Sequence, residues 1–540
     1  MTKKEKKFKL ILFILFAILI SVPFLVPHTA PLSLISFSPL LLAESFFKGK
    51  MAWINFYLPF LIWNLATTYW IYNATVAGAA AAVIANALQM SLIFMLFRWF
   101  KKRTNEKLGY MFLIIAWLAW EHFYFDAEIS WPWLTLGNTL ATSHYLAQWY
   151  EYTGTLGGSL WILLVNVVLF RIMRDRNMFA RFGVMPQSLT LTGKSIKIRT
   201  ALAVLLIVVP ITISLSKYYT YKEVGERKQV VVLQPNIDPY NDKFAGMSQA
   251  QQDEILLTLA KNSSELSTDL IVAPETFTSG VSENAPMSHE TSVKLVDFLK
   301  SRPNTDLLFG ATTYLVYGLK DKPTYTARQS DYGWYDVFNT AIYTDSSANF
   351  KFYHKSKLVV LVEYLPYPQF LDFINSFAID LGGATGSYGT QKERDVFKSS
   401  NSNIVVGAAI CYESIYGDYY REYVQKGANL MTIITNDGWW GNTPGYNQHL
   451  RYASLRAIET RRDIARSANT GISAFINQKG DIVSQTKWWQ PAYLKGEVTI
   501  NEKITVFVKY GDYIGRIATF ALILFIGLII LVIIRKTPFK

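Results

Sequence analysis

Cysteine is almost absent: the 540 residues contain one, Cys411. An intrachain disulfide is therefore excluded. Histidine is scarce as well. The six histidines, at 28, 122, 144, 289, 354 and 449, show none of the short spacings that pre-arrange metal ligands. A glycine-rich phosphate loop is also missing. Gly382-Gly383-Ala384-Thr385-Gly386 has no following lysine and no strand-to-helix context, so it reads as a flexible loop. Neither a metal nor a cofactor is expected. Charge is thin, at 17% of residues, and long stretches have almost none.

Those stretches are apolar. They fill 10–26, 31–47, 52–72, 75–97, 108–125, 156–170, 200–216 and 517–534. Several approach the roughly 20 residues that a membrane-spanning helix needs, which predicts eight spans. Lys-rich residues 1–9 are followed by no small-residue cleavage site and by further spans, so they read as an uncleaved anchor. With residues 1–9 inside, the inside segments are 1–9, 48–50, 98–107, 171–199 and 535–540, and they hold 22 Lys and Arg. The outside loops near 27–31, 73–75 and 126–154 hold none. This positive-inside bias predicts cytoplasmic termini and places the long segment after the seventh span outside. The chain's net charge of +13 is then topological, since the inside segments hold only Glu5, Glu106 and Asp175 against their 22 cations. A nucleic-acid partner is not implied.

The expected organisation is a seven-helix membrane domain over 1–217, an extracytoplasmic domain over 218–515, and a last span with a cytoplasmic tail over 516–540. Within 228–505, short β-rich runs alternate with helix-like segments. Strands are predicted at Gln229–Gln234, Leu270–Ala273, Leu307–Ala311, Ala341–Tyr343, Ile404–Ala409, Leu430–Thr435 and Gly471–Ile476. Helices are predicted over 249–266, 288–301, 414–426 and 447–464. Continuous Val/Ile/Leu strands imply sheets covered on both faces, hence a layered α/β domain.

In such folds reactive groups gather beyond the carboxyl ends of strands. Cys411 follows the apolar run Asn403–Ile410, Glu275 follows Asp269–Pro274, and Asn436-Asp437 follow Leu430–Thr435. Lys355 lies in Phe352-Tyr353-His354-Lys355-Ser356-Lys357-Leu358. Taken singly, each has an ordinary alternative: a small buried hydrophobe, a cap, a solvated cation. Together they are the three groups that acyl transfer through a thioester requires. A helix N-terminus and a nearby ammonium would lower the thiol pKa.

Pro274-Glu275, Tyr353–Val359 and Cys411-Tyr412-Glu413 resemble the three signatures of the nitrilase superfamily. Glu363-Tyr364, Thr435-Asn436-Asp437-Gly438-Trp439-Trp440-Gly441, Gln448-His449, Arg456-Ala457-Ile458-Glu459 and Ala468-Asn469-Thr470-Gly471 resemble the bacterial apolipoprotein N-acyltransferases. The likeness covers about 230–480, together with the arrangement of spans. Three features depart from it. Val360-Leu361-Val362 stands where the family commonly has Pro-Phe-Gly, and Asp-Gly-Trp-Trp replaces Asp-Ala-Trp-Phe. Phe244 is the loose counterpart of a family tryptophan.

The resemblance implies an α-β-β-α sandwich of nitrilase type with a catalytic triad of Glu275 as general base, Lys355 as oxyanion stabiliser and Cys411 as nucleophile. Glu363, Tyr412, Glu413, Asn436, Asp437, Trp439 and Trp440 would support the site or bind substrate. It further implies a monomer in the bacterial inner membrane. The acyl donor would be a phospholipid, phosphatidylethanolamine above all, and the acceptor the α-amino group of a diacylglyceryl-cysteine on an apolipoprotein. Trp131-Pro132-Trp133, Trp149-Tyr150 and Trp488-Trp489 would suit the membrane interface, as would Glu121, His122 and Asp126. Two rivals remain: a membrane-tethered amidase that hydrolyses a small amide, and a non-enzymatic scaffold or transporter.

Overall fold

The computed structural model describes residues 3–46, 52–176, 178, 193–243, 246–318, 321–360, 362–364, 366–367 and 387–535. Phe244, Leu361, Gly382–Gly386 and the inside segment 48–50 lie outside the described residues, as do 179–192 and 536–540 of two further inside segments. The chain divides into two compact units. One comprises Met1–Tyr72, Ala79–Thr220 and Tyr510–Lys540; the other comprises Asn73–Gly78 and Tyr221–Lys509.

Among the described residues, six helices are long and apolar enough to cross a membrane: Glu5–Leu25, Val76–Arg103, Glu106–Asp126, Tyr150–Asp175, Ile196–Thr220 and Tyr513–Leu531. Two of the eight expected spans take a shorter form. The 31–47 run is divided among Ala30–Leu32, Ser33–Ser36 and Ser38–Phe46, with Pro31 in the first piece. The 52–72 run gives the 17-residue helix Ala52–Thr68. Its Pro59 removes one backbone donor. The stretch 126–154, read as a loop, contains the buried 3₁₀ segment Leu136–Leu146. Glu121 ties it down, accepting from Leu136 N at 2.8 Å and Trp117 Nε1 at 3.1 Å. Glu121 and Trp133 are thus packing residues, both buried, rather than interface residues. Trp133 stacks on Trp131 with ring centroids 5.2 Å apart.

The second unit holds two sheets. The first contains β1 (Glu226–Gln234), β2 (Leu270–Val272), β3 (Thr278–Ser282), β4 (Asp306–Val316), β5 (Arg328–Ser330), β6 (Gly333–Thr344) and β7 (Lys351–His354). The second contains β8 (Val396–Lys398), β9 (Val405–Ile410), β10 (Leu430–Thr435), β11 (Ile464–Ala468), β12 (Ala474–Ile476) and β13 (Ile482–Gln485). A final strand, β14 (Ala492–Ile500), returns to the first sheet beside β1. The orders are β14-β1-β2-β4-β6-β5, with β3 on β4 and β7 on β6, and β13-β12-β11-β10-β9-β8. β1, β2 and β4 run parallel, as do β9, β10 and β11. Apolar on both faces, these central strands need cover on both sides.

That cover is another sheet on one side and helices on the other. β1 and β2 pack against β11 across the seam between sheets. Helices Gln249–Ser263 and Glu290–Lys300 close the outer face of the first sheet. Leu256, Ala260, Leu295 and Leu299 meet Val231, Ile271, Leu307 and Phe309 in one core cluster. Gln249–Ser263 starts at a capping box in which Ser248 and Gln251 satisfy each other's backbone donors. Helices Gly417–Gln425 and Pro444–Thr460 lie against β9 and β12 of the second sheet. The result is an α-β-β-α sandwich.

One glycine fixes where the β2–β3 connection runs. A Cβ on Gly310 of β4 would lie 2.5 Å from Glu275 Cα, 2.6 Å from Thr276 N and 2.8 Å from Pro274 O. Only a bare Cα lets this connection lie on β4, where Gly310 N donates to Pro274 O at 3.0 Å and Gly310 O accepts from Phe277 N at 2.8 Å. Gly310→Ala should therefore displace Glu275 and destabilise the unit by about 1–3 kcal/mol, the scale of core overpacking. A thermal-unfolding midpoint equal to that of the unsubstituted protein would refute this close approach.

Candidate active site

The predicted groups stand at the ends of neighbouring strands. Glu275 follows β2, Lys355 follows β7, Cys411 follows β9 and Asn436 follows β10. Side chains from both sheets therefore meet where the sheets' strand ends converge. Lys355 is anchored through its own backbone N, which donates to Asn339 O on β6 at 2.8 Å. Its ammonium donates to Glu275 Oε1 at 2.9 Å and to Glu363 Oε1 at 2.9 Å. Asn339 bridges the same two oxygens, its Nδ2 donating at 2.8 and 2.9 Å. Glu275 Oε2 accepts from Asn436 N at 3.1 Å, and Glu363 Oε2 from Val359 N at 2.8 Å. Burial works against the charge on Lys355, but Glu275 and then Glu363 carry its pKa well above the usual lysine value.

Glu275, Lys355, Cys411 and Glu363 line one cavity of about 150 Å³. Asn436, Trp439, Trp440, Asn339 and Lys243 share its wall. Cys411 is buried and has φ +52°, a left-handed conformation that is uncommon outside glycine. Thr276, next to Glu275, has φ +45°. Such strain is held in place only by the surrounding structure and concentrates at functional sites.

The expected lowering of the thiol pKa does not appear. Cys411 opens a 3₁₀ turn, Cys411–Ile415, and the α-helix starts only at Gly417, so no long helix dipole points at the sulfur. Burial first, and the charge of Glu275 second, push the thiol well up, with Lys355 opposing only in part. Lys355 is already matched by two carboxylates. Cys411 is thus held as a neutral thiol beside the Glu275 carboxylate.

The remaining predicted residues divide. Glu363, Asn436, Trp439 and Trp440 line the cavity. Tyr412 packs edge-on against Tyr416, with centroids 5.3 Å apart. Glu413 is fully buried two residues after Cys411, where Ile410 N donates to Oε2 at 2.8 Å and Ser356 N to Oε1 at 2.7 Å. It ties the residue before Cys411 to the residue after Lys355. Hydroxyls of Tyr353, Tyr419 and Tyr423 surround it. Asp437 accepts from Thr435 Oγ1 at 2.7 Å and pairs with His449 and Arg466. Burial disfavours its charge, yet Arg466 and His449 hold its pKa at about 2.

Among the described residues, Cys411, Asp437 and His449 have potential metal-ligand atoms within 4.8 Å of one another. This grouping is spatial and has no short sequence spacing. Its donors are engaged elsewhere: Arg466 holds the Asp437 carboxylate, and His449 Nε2 lies 2.9 Å from Ser414 Oγ and 3.1 Å from Cys411 O. Asn339 and Lys243 were not found from sequence. An asparagine inside a strand and a lysine in a turn have no local pattern to mark them.

Comparison with known proteins agrees with this layout. Residues 231–503 match the family model described as carbon-nitrogen hydrolase, and residues 16–168 match that of the apolipoprotein N-acyltransferase N-terminal domain. An apolipoprotein N-acyltransferase of Chlorobaculum tepidum is 27% identical over 509 residues, 91% of this chain and 90% of that one. Its counterpart in Geobacter metallireducens is 28% identical over 516 residues, 92% of this chain and 91% of that one. Among solved structures, a CN-hydrolase superfamily protein of Xanthomonas campestris aligns with 51% of this chain and 91% of its own, at 15% identity and a TM-score of 0.34. The α-β-β-α sandwich is of the carbon-nitrogen hydrolase class. The chain belongs to the apolipoprotein N-acyltransferase family.

The raised thiol gives a direct test. An ordinary cysteine ionises near pH 8.5, so its alkylation accelerates through a step between about pH 6 and 9. Alkylation of Cys411 by iodoacetamide should show no such step over that range. Because the charge of Glu275 helps to raise the thiol, Glu275→Gln should bring the step down in pH. A step near neutrality with Glu275 intact would contradict the electrostatics described.

Proposed function

We propose that the protein moves a fatty acyl chain from a membrane phospholipid to the α-amino group of the N-terminal diacylglyceryl-cysteine of an apolipoprotein, in two halves through a thioester on Cys411. What carries this reading is a buried neutral thiol sharing one cavity with a carboxylate base and a carboxylate-held ammonium. In the first half, Glu275 takes the Cys411 proton as sulfur attacks the donor's ester carbonyl. Lys355 and backbone N–H groups near Tyr412 stabilise the oxyanion. The C–O bond breaks, and the lysophospholipid oxygen leaves with the proton from Glu275. In the second half, the acceptor nitrogen attacks the thioester and gives a proton to Glu275. The C–S bond breaks, and Glu275 returns the proton to sulfur. Glu363 and Asn339 keep Lys355 and Glu275 aligned through both halves. Phosphatidylethanolamine is the expected donor, and the enzyme acts as a monomer.

Incubation with labelled phosphatidylethanolamine alone should leave a persistent acyl mass on the intact enzyme at Cys411. Cys411→Ser should carry none and transfer nothing. Glu275→Gln and Lys355→Met should each lower turnover about 100-fold or more, the scale of a lost general base or oxyanion donor. Rapid release of free fatty acid would favour an amidase-like hydrolase instead.

Both substrates are lipids of an exported pathway, so the site belongs outside the cytoplasm, in line with the loop charges. Residues 218–515 are assigned to the extracytoplasmic side of the inner membrane and both termini to the cytoplasm. In a Cys411→Ala background, Ser330→Cys should react with an impermeant maleimide in intact spheroplasts, and Thr104→Cys should not. The opposite labelling pattern would end the lipoprotein assignment.

A further inference from the structure

In both halves of the proposed transfer the reacting carbonyl oxygen becomes anionic, and the cavity has no net charge to receive it. Its lysines, Lys243 and Lys355, are balanced by Glu275 and Glu363. Lys355 already donates to both carboxylates. Much of the work of stabilising an oxyanion there falls to neutral donors, whose dipoles add positive potential without adding charge. One such donor stands in the wall.

Asn436 lines the cavity, is only 3% exposed, and donates through its backbone N to Glu275 Oε2 at 3.1 Å. Its strand, β10, runs between β9 and β11, with Ile434 opposite Ile410 and Thr435 opposite Ala468. Asn436 is therefore level with Asn469 on the β11 side and one residue past the level of Cys411 on the β9 side. Ile237 fixes the Asn469 amide: Oδ1 accepts from Ile237 N at 2.9 Å and Nδ2 donates to Ile237 O at 2.7 Å. The same Nδ2 donates to Asn436 Oδ1 at 3.3 Å. The oxygen of Asn436 thus faces β11, which turns its Nδ2 to the β9 side, where Cys411 stands. Asn436 precedes the 3₁₀ turn Asp437–Trp440 without capping it through its side chain. Among the described residues, its Nδ2 has no hydrogen-bond partner. A buried amide donor left unmet costs free energy, and in a native fold it points to an acceptor that arrives from outside the chain.

We propose that Asn436 is a further catalytic residue, its Nδ2 donating to the acyl carbonyl oxygen as that oxygen becomes anionic at Cys411. As sulfur attacks the ester carbon, the C=O π pair moves onto oxygen, beside Lys355 and Asn436, and it returns to carbon as the alkoxide leaves. In the second half the amine attacks, the same oxygen takes the pair again, and sulfur leaves. An oxyanion accepts a hydrogen bond more strongly than a carbonyl does, so the bond acts on rate rather than on affinity. The inference rests on the acyl-transfer reading of the site.

The test sets two reactions of Cys411 side by side in Asn436→Ala and Asn436→Leu. Acylation by phosphatidylethanolamine in mixed micelles is followed by mass spectrometry of the intact enzyme across donor mole fractions. Its limiting rate should fall about 100-fold, the scale of one lost oxyanion donor, with the half-saturating donor fraction moving by less than about threefold. Alkylation by iodoacetamide displaces iodide at a saturated carbon and builds no oxyanion. Its rate in the same variants should stay within about threefold of the unsubstituted enzyme. An equal fall in both reactions would show that Asn436 only positions Cys411 or Glu275, and would overturn the inference. So would an unchanged acylation rate, or a raised half-saturation at an unchanged limiting rate, which would mark a ground-state contact. Failure of both variants to fold would make the amide structural and overturn it as well. Absence of any acyl mass on the unsubstituted enzyme, by contrast, would remove the acyl-transfer reading itself, and the inference with it.

Discussion

An ammonium buried between two carboxylates cannot be left half-satisfied. Removing such charges from water costs several kcal/mol per ion, and only close, complete hydrogen bonding offsets it. Lys355 is 1% exposed, so its contacts with Glu275 and Glu363 must all form together. The donors that complete the carboxylates come from β6 through Asn339, from the start of the Val359 turn, and from Asn436 beyond β10. Two sheets are thereby tied at their strand ends to one set of charges. The Glu413 clamp on Ile410 and Ser356 does the same job a layer further in, with tyrosine hydroxyls taking up its remaining lone pairs. Losing one partner at either point would leave a buried charge uncompensated.

The same constraint sets the state of the sulfur. In many thiol enzymes a nearby cation stabilises the thiolate. Here the cation is already matched, and Glu275 adds a negative charge beside the thiol, so the neutral form is held. A thiol held neutral is a poor nucleophile until a base takes its proton, and the Glu275 carboxylate is the acid–base group beside it. A buried thiol and a matched cation also limit idle reaction with stray electrophiles.

The apolar unit answers a different solvent with the same rule. Several charges within it are paired: Lys101 with Glu44, Arg174 with Glu106, Arg199 with Asp175, Lys217 with Glu151. Many polar side chains inside it bond to helix carbonyls or to one another, as Asn166 does to Ser33 O and Asn86 to Asn64. Where water is absent, an unmet donor or acceptor has no alternative partner. Buried 3₁₀ backbone at Leu136–Leu146 is tolerated because Glu121, Ser159 and Tyr150 satisfy its groups.

Much of this was legible in the chain. Hydropathy and loop charge marked the membrane helices because length and composition decide what a bilayer accepts. Central strands such as Leu430–Thr435 were read to the residue, since a strand buried on both faces must be continuously apolar. Cys411, Glu275 and Lys355 stood out by their positions after such strands. What failed was whatever depends on distant neighbours. β14 was missed because its exposed half alternates polar residues and gains its place only by pairing with β1. β11 has no counterpart among the predicted strands, only its first residue touching the helix expected over 447–464, because Arg466 looks polar until Asp437 meets it inside the protein. The direction of the Cys411 shift was misjudged for the same reason. A nearby lysine suggests a lowered thiol pKa, and only the fold shows that two carboxylates reach that lysine first. Local composition determines what each segment can be; long-range packing alone decides which charges cancel, and the protonation state of a buried group is set by that cancellation.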